Sequence, residues 1–149
     1  MDNKCPVNIK IMREGVSLPS YATSGSAAFD LTAAIDEPIT LKAGERRLIP
    51  TGIAISIPNG YVAILCARSG LSAKKGIAAA NGIGVIDSDY RGEIFFSAIN
   101  LSNEDYTFSK GERIAQLMIM PVCHAEFTLC DDLDKTERGD GGFGSTGNK

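Results

Sequence analysis

The chain has 149 residues, enough for one domain with a proper core. Its 15 lysines and arginines against 18 aspartates and glutamates leave a net charge of −3. That balance excludes an overall basic field for nucleic acid, and no apolar run approaches the roughly 20 residues of a membrane span. The opening Met1-Asp2-Asn3-Lys4 forms no signal peptide, so the sequence reads as a soluble, cytoplasmic protein with no nucleic-acid or membrane partner.

Along the chain, short apolar runs alternate with turn residues. Ile9 and Ile11 alternate with Asn8 and Lys10. Ile53, Ile55 and Ile57 alternate with Ala54 and Ser56, and Pro58-Asn59-Gly60 then makes a turn. Tyr61 to Cys66 resumes as a strand, which predicts a hairpin. Leu71 to Lys75 is the best candidate for a helical turn, since no segment sustains an apolar stripe at 3.6-residue spacing. Glu93 to Asn100 and Arg113 to Val122 are further β-rich runs, divided by the turn-like Ser109-Lys110-Gly111-Glu112. Regular short strands with Gly/Pro punctuation predict an all-β sandwich or barrel. The domain is expected over residues 1–135, and the acidic stretch Cys130 to Lys135 leads into a glycine-rich tail over 136–149.

Cys5, Cys66, Cys123 and Cys130 form no C-x-x-C pair, so neither a disulfide framework nor a zinc knuckle is expected. Cys123, His124 and Cys130 offer three zinc ligands without a fourth at metal-site spacing. Cys66 and Cys123 read more simply as small strand residues, with His124 at a strand end. The single histidine leaves Ser-His-Asp chemistry one candidate base and no G-x-S-x-G elbow.

Three segments carry residue types suited to a nucleotide. In the tail, Gly139, Gly141, Gly142, Gly144 and Gly147 expose backbone N–H groups that can fold around an anion. Arg138, Ser145 and Thr146 add a guanidinium fork and hydroxyls, and Phe143 can cover a flat base. Gly139, Gly141 and Gly144 satisfy G-x-G-x-x-G, but no helix or acidic residue follows at the distance that a dinucleotide fold needs. A G-x-x-x-x-G-K-[ST] loop is also absent, and composition alone is equally compatible with a disordered tail. Arg68-Ser69-Gly70, after a strand, is a second phosphate grip or an ordinary surface turn. Asn81 to Gly92 reads as a hairpin in which Gly82 and Gly84 let a ligand approach the backbone and Asn81 reads a base edge. Asp87 then reads as a partly buried carboxylate able to deprotonate a water. The plainer alternative is a tight turn capped by Asp87 and Asp89.

In this order the segments resemble the five motifs of the trimeric dUTP diphosphatases. The first is similar to Ala27-Ala28-Phe29-Asp30-Leu31 and the second to Ala67-Arg68-Ser69-Gly70-Leu71 through Ile77. The third matches Asn81 to Gly92, the fourth Gly111-Glu112-Arg113-Ile114-Ala115-Gln116-Leu117, and the fifth Arg138 to Gly147. Three positions depart from the family pattern: Ala67 replaces the usual proline, Phe29 a commonly smaller residue, and Asn81 varies between branches.

The resemblance implies a jelly-roll-like distorted β barrel and a homotrimer with active sites shared between subunits. It implies hydrolysis of dUTP to dUMP and pyrophosphate with Mg²⁺, which limits uracil incorporation into DNA and supplies dUMP for thymidylate synthesis. Asp87 would position water against the α-phosphate. Arg68, Ser69 and Gly70 would grip the phosphates, and Asn81, Gly84, Val85 and Ile86 would read uracil. Tyr90 would exclude a 2′-hydroxyl. Gln116 and Asp30 would act through waters around the metal, which substrate phosphates mainly hold. Arg138 would clamp the γ-phosphate, Phe143 would lie over the base, and Gly144, Ser145 and Thr146 would close the lid. The alternatives are a dCTP deaminase-like relative and a non-catalytic nucleotide-binding trimer.

Overall fold

The alternating runs become strands, each only a few residues long because turn residues interrupt the apolar pattern. The computed structural model describes residues 4–142. In order the elements are β1 (Asn8–Ile11), β2 (Phe29–Thr32), β3 (Ile39–Leu41), β4 (Arg46–Pro50), β5 (Ile53–Ser56), β6 (Tyr61–Ala67), α1 (Ser69–Lys75), β7 (Ile77–Ala79), β8 (Gly84–Ile86), β9 (Phe95–Asn100), β10 (Tyr106–Phe108) and β11 (Arg113–Pro121). None of these helices or strands forms a helix long and apolar enough to cross a membrane.

The helix begins two residues before the predicted turn. Arg68 is extended at φ −76° and ψ 136°, and Leu71 is the one side chain that α1 buries. Gly76 stops it in the left-handed region at φ 67°, its N–H returning to the Ser72 carbonyl. A side chain there would be strained and would also meet the Ser102 backbone nitrogen at 2.9 Å.

All the pairings are antiparallel, in four sheets: β1-β5, β3-β10, β4-β9-β7 and β2-β11-β6-β8. This corrects three expectations. Among the described residues no sheet closes on itself, so the predicted barrel is instead a set of open sheets packed around one core. The short strands change sheets at their turns, and a register shift between Arg113 and Ala115 interrupts the long strand. Nor do β5 and β6 form the predicted hairpin. Tyr61 N–H does bond the Pro58 carbonyl, but β5 then pairs with β1 and β6 with β11 and β8. Likewise the Asn81 to Gly92 segment is no hairpin ladder, because β7 pairs with β9 while β8 pairs with β6.

Between the sheets lie Leu41, Ile49, Ile53, Ile77, Phe96, Phe108, Ile114 and Leu117, all essentially without solvent contact. Asn100 and Thr51 are the buried polar residues among those described, and every hydrogen-bonding atom of the Asn100 side chain is used. Its Nδ2 donates to the carbonyls of Leu41 (3.0 Å) and Glu104 (2.7 Å), and its Oδ1 accepts from the N–H and hydroxyl of Ser102. This satisfied amide ties β9 to β3 and to the following loop, so its burial carries no unpaired-group penalty. Beyond β11 the chain leaves the core: residues 120–140 are all exposed, including Phe127 at 93 % and Leu129 at 100 %. Cys123 and His124 therefore lie past the strand, not in it.

Candidate active site

The sheet β2-β11-β6-β8 gathers four of the five motifs. The register places Gln116 opposite both Asp30 on β2 and Cys66 on β6, so the first, fourth and second motifs share one end of the sheet. There Asp30 is clasped by two guanidinium groups. Arg68 Nε donates to Oδ1 at 2.9 Å and Arg113 Nη1 to Oδ2 at 3.2 Å. Both pairs are partly solvated, so each contributes only about 0–1 kcal/mol; their effect is to fix the direction of Arg68. Gln116 Nε2 donates to the Ala67 carbonyl at 3.1 Å, tying down the entry to the grip where proline is absent. The larger Phe29 is accommodated edge-on against Tyr21, with ring centroids 5.5 Å apart. Ser69 and Gly70 are exposed beside Arg68 at the start of α1.

The third motif builds a different feature. Ala80 N–H bonds the Ser97 carbonyl, Gly82 N–H the Ala79 carbonyl and Ile83 N–H the Asn81 carbonyl, which folds the loop before β8. Gly84 crosses Leu65 so closely that an added Cβ would lie 3.1 Å from the leucine Cβ. A cavity of about 380 Å³ results, lined by Asn81, Gly84, Val85, Ile86, Asp87 and Tyr90 on one side and by Leu48, Leu65, Glu93 to Phe95 and Ser97 on the other. Its exposed backbone groups and concave shape can admit a small ligand. Tyr90 Oη donates to the Glu93 carbonyl at 3.0 Å. Asp87 sits exposed at the lip, not partly buried as expected, because β8 ends one residue before it.

These two features do not meet within one chain. Ile86 pairs with Ala63, so Asp87 lies level with Val62, whereas Arg68 follows the opposite end of β6. At about 3.3 Å per residue the backbone positions of Asp87 and Arg68 are roughly 20 Å apart. Arg138 is exposed in the tail, its Nε donating to the Gly141 carbonyl at 2.7 Å within a local turn. Phe143, Gly144, Ser145 and Thr146 lie outside the described residues. Arg113 at the grip and Leu48, Phe95 and Ser97 at the cavity were not anticipated. They come from distant strands, and only pairing register brings them in.

Comparison with known proteins agrees with the motif order. A family model described as dUTPase matches residues 14–147. A deoxyuridine 5′-triphosphate nucleotidohydrolase from Hahella chejuensis is 53 % identical over 135 residues, covering 90 % of this chain and 89 % of the relative. One from Anaeromyxobacter sp. is 50 % identical over 147 residues, covering 95 % and 99 %. Among solved structures, the Staphylococcus bacteriophage 80alpha dUTPase G164S mutant with dUpNHpp superposes with a TM-score of 0.87 at 28 % identity, covering 95 % of this chain and 98 % of that one. With the family model matched over most of the chain and these relatives covering it nearly end to end, the chain belongs to the dUTPase family.

Proposed function

We propose that the chain hydrolyses dUTP to dUMP and pyrophosphate, with Asp87 as the base and with each active site assembled from more than one copy of the chain in a homotrimer. The observation that carries this reading is the pairing of two half-sites. A cavity with exposed backbone groups ends at Asp87, and a guanidinium grip, oriented by Asp30, lies roughly 20 Å away on the same sheet. A dUTP molecule cannot use both on one chain, but the cavity of one copy facing the grip of another supplies base recognition and phosphate binding together. The exposed arm, with Phe127 and Leu129 free of contacts with their own fold, supports a reach toward a neighbouring copy.

In this site Asn81 and the backbone of Gly84 to Ile86 present donors and acceptors to the uracil edge. Cytosine meets them with the wrong pattern, and the thymine methyl has no room. Tyr90 walls the sugar. The Asp87 carboxylate accepts a proton as water oxygen bonds to the α-phosphorus, and the bond to the α–β bridging oxygen breaks to release pyrophosphate. Arg68, Ser69 and Gly70 hold the phosphates in line. Arg138 closes on the γ-phosphate with Phe143, Gly144, Ser145 and Thr146 completing the lid.

The donor set fits a metal carried in by substrate. The described residues contain no cluster of three or more His, Cys, Asp or Glu suited to holding a metal ion. Mg²⁺ commonly takes phosphate oxygens and waters with few protein carboxylates, so Asp30 and Gln116 would reach it through waters. The ion would supply neutralisation of the triphosphate charge. A deaminase would need an acid–base residue other than Asp87 beside the ring. The second carboxylate lining the cavity, Glu93, is instead held by Arg13 through Nε at 2.6 Å and Nη2 at 2.9 Å, and by Gly52 N–H at 2.9 Å. Pyrophosphate release from dUTP, dCTP, dTTP and UTP, with and without Mg²⁺, tests the reading. Rapid release from dUTP alone, dependent on Mg²⁺, is expected; ammonia release from dCTP, or turnover of none of the four, would overturn it.

A further inference from the structure

Tyr90 is held in place by two neighbours that no motif logic requires. Its hydroxyl donates to the Glu93 carbonyl, which curls the ring back over Gly92. A Cβ at Gly92 would fall 2.5 Å from Tyr90 Cζ, closer than real side chains come, and 3.0 Å from Cε2. Gly92 has no left-handed backbone angle, so alanine is conformationally admissible there and would act only by displacing the ring. The carbonyl end of this seat is moored as well. Glu93 accepts a forked pair of hydrogen bonds from Arg13, which holds the arginine charged, and a third from Gly52 N–H. Ile94 then bonds across to Thr51 and Ile53.

We infer that Gly92 is a positioning residue for sugar selection: its bare Cα, with the Glu93 carbonyl, sets how far the Tyr90 ring stands from the sugar. This deepens the proposed function and rests on Tyr90 being the sugar wall. Specificity is then a matter of ring placement as well as ring identity. A shift of the ring by less than the width of a methyl group changes the room left for a 2′-hydroxyl, and one small group in a fitted pocket changes discrimination by about 10-fold or more.

The test is a double-mutant cycle on kcat/KM for UTP relative to dUTP, using the full-length protein with Gly92→Ala, Tyr90→Ala and both together. Gly92→Ala should change the UTP/dUTP ratio about 10-fold and add nothing in the Tyr90→Ala background, since both changes act on one ring. Tyr90→Phe, which keeps the ring but deletes the hydroxyl, should change the ratio by a smaller factor and provides a second probe if Gly92→Ala folds poorly. A raised ratio in Tyr90→Ala with no change in Gly92→Ala or Tyr90→Phe overturns the seat and leaves Tyr90 as the wall. Additive effects would mean that Gly92 acts other than through Tyr90. An unchanged ratio in Tyr90→Ala would overturn the wall itself and the seat with it.

Discussion

Asp87 and Asn100 illustrate opposite uses of a polar side chain. Asn100 is buried with every donor and acceptor filled, and its value is structural. Asn100→Leu removes the amide donor to the Leu41 and Glu104 carbonyls and leaves the Ser102 N–H without its acceptor, and should lower stability by about 2–4 kcal/mol in urea denaturation. Asp87 is exposed at a cavity lip, available to a ligand. Asp87→Asn preserves its shape while removing the base. It should leave binding of a non-hydrolysable dUTP analogue nearly unchanged and cut kcat by about 10²–10⁴-fold. Near-normal turnover in this variant would show that Asp87 is not the base.

Tyr106 offers a pH-dependent measurement. Partial burial, together with its hydrogen bond to Glu112, pushes the phenol pKa well above the usual value. A raised folded-state pKa means that the stabilisation is complete below the unfolded tyrosine pKa, about 10, and is lost as pH climbs beyond it. Stability should therefore fall more steeply above pH 10 in the wild type than in Tyr106→Phe, in chemical denaturation series across that range. Parallel curves would remove the Tyr106–Glu112 contact from the account.

At the scale of elements, the sequence made strand positions legible but left their partners open. Ile53, Ile55 and Ile57 locate β5, yet nothing local says that the chain will pair it with β1 once it has turned at Pro58-Asn59-Gly60. The same limit explains the missed open sheets: short strands are local, whereas closure depends on register between distant ones. Arg68, Asp30 and Gln116 were legible as motif residues, but their meeting depends on β11 lying between β2 and β6. Arg113 was legible as part of the fourth motif, but its pairing with Asp30 was not, because that contact exists only in this register. The tail is the element whose removal tests itself. Strand pairing ends at Pro121, so truncation after Lys135 should preserve folding while collapsing catalysis. By calorimetry, dUMP should lose less affinity than a triphosphate analogue, because it has no γ-phosphate for Arg138. Equal losses would exclude a γ-phosphate lid.

For the whole molecule, the distance between the two half-sites dominates. With Asp87 and Arg68 roughly 20 Å apart on one sheet, the proposed function needs them from different copies, so assembly is part of that proposal. Arg68→Ala removes the grip but leaves Asp30 paired with Arg113, so it is not expected to unfold the sheet. Asp87→Asn removes the base without touching the grip. Coexpression of the two inactive chains with different tags, followed by purification through both tags, yields mixed trimers for dUTP turnover. In a head-to-tail ring of mixed chains one interface joins an intact Asp87 to an intact Arg68, so about one-third of wild-type activity should return. No recovery above either parent, in trimers shown by mass to contain both chains, would place the base and the grip in one subunit and contradict the account.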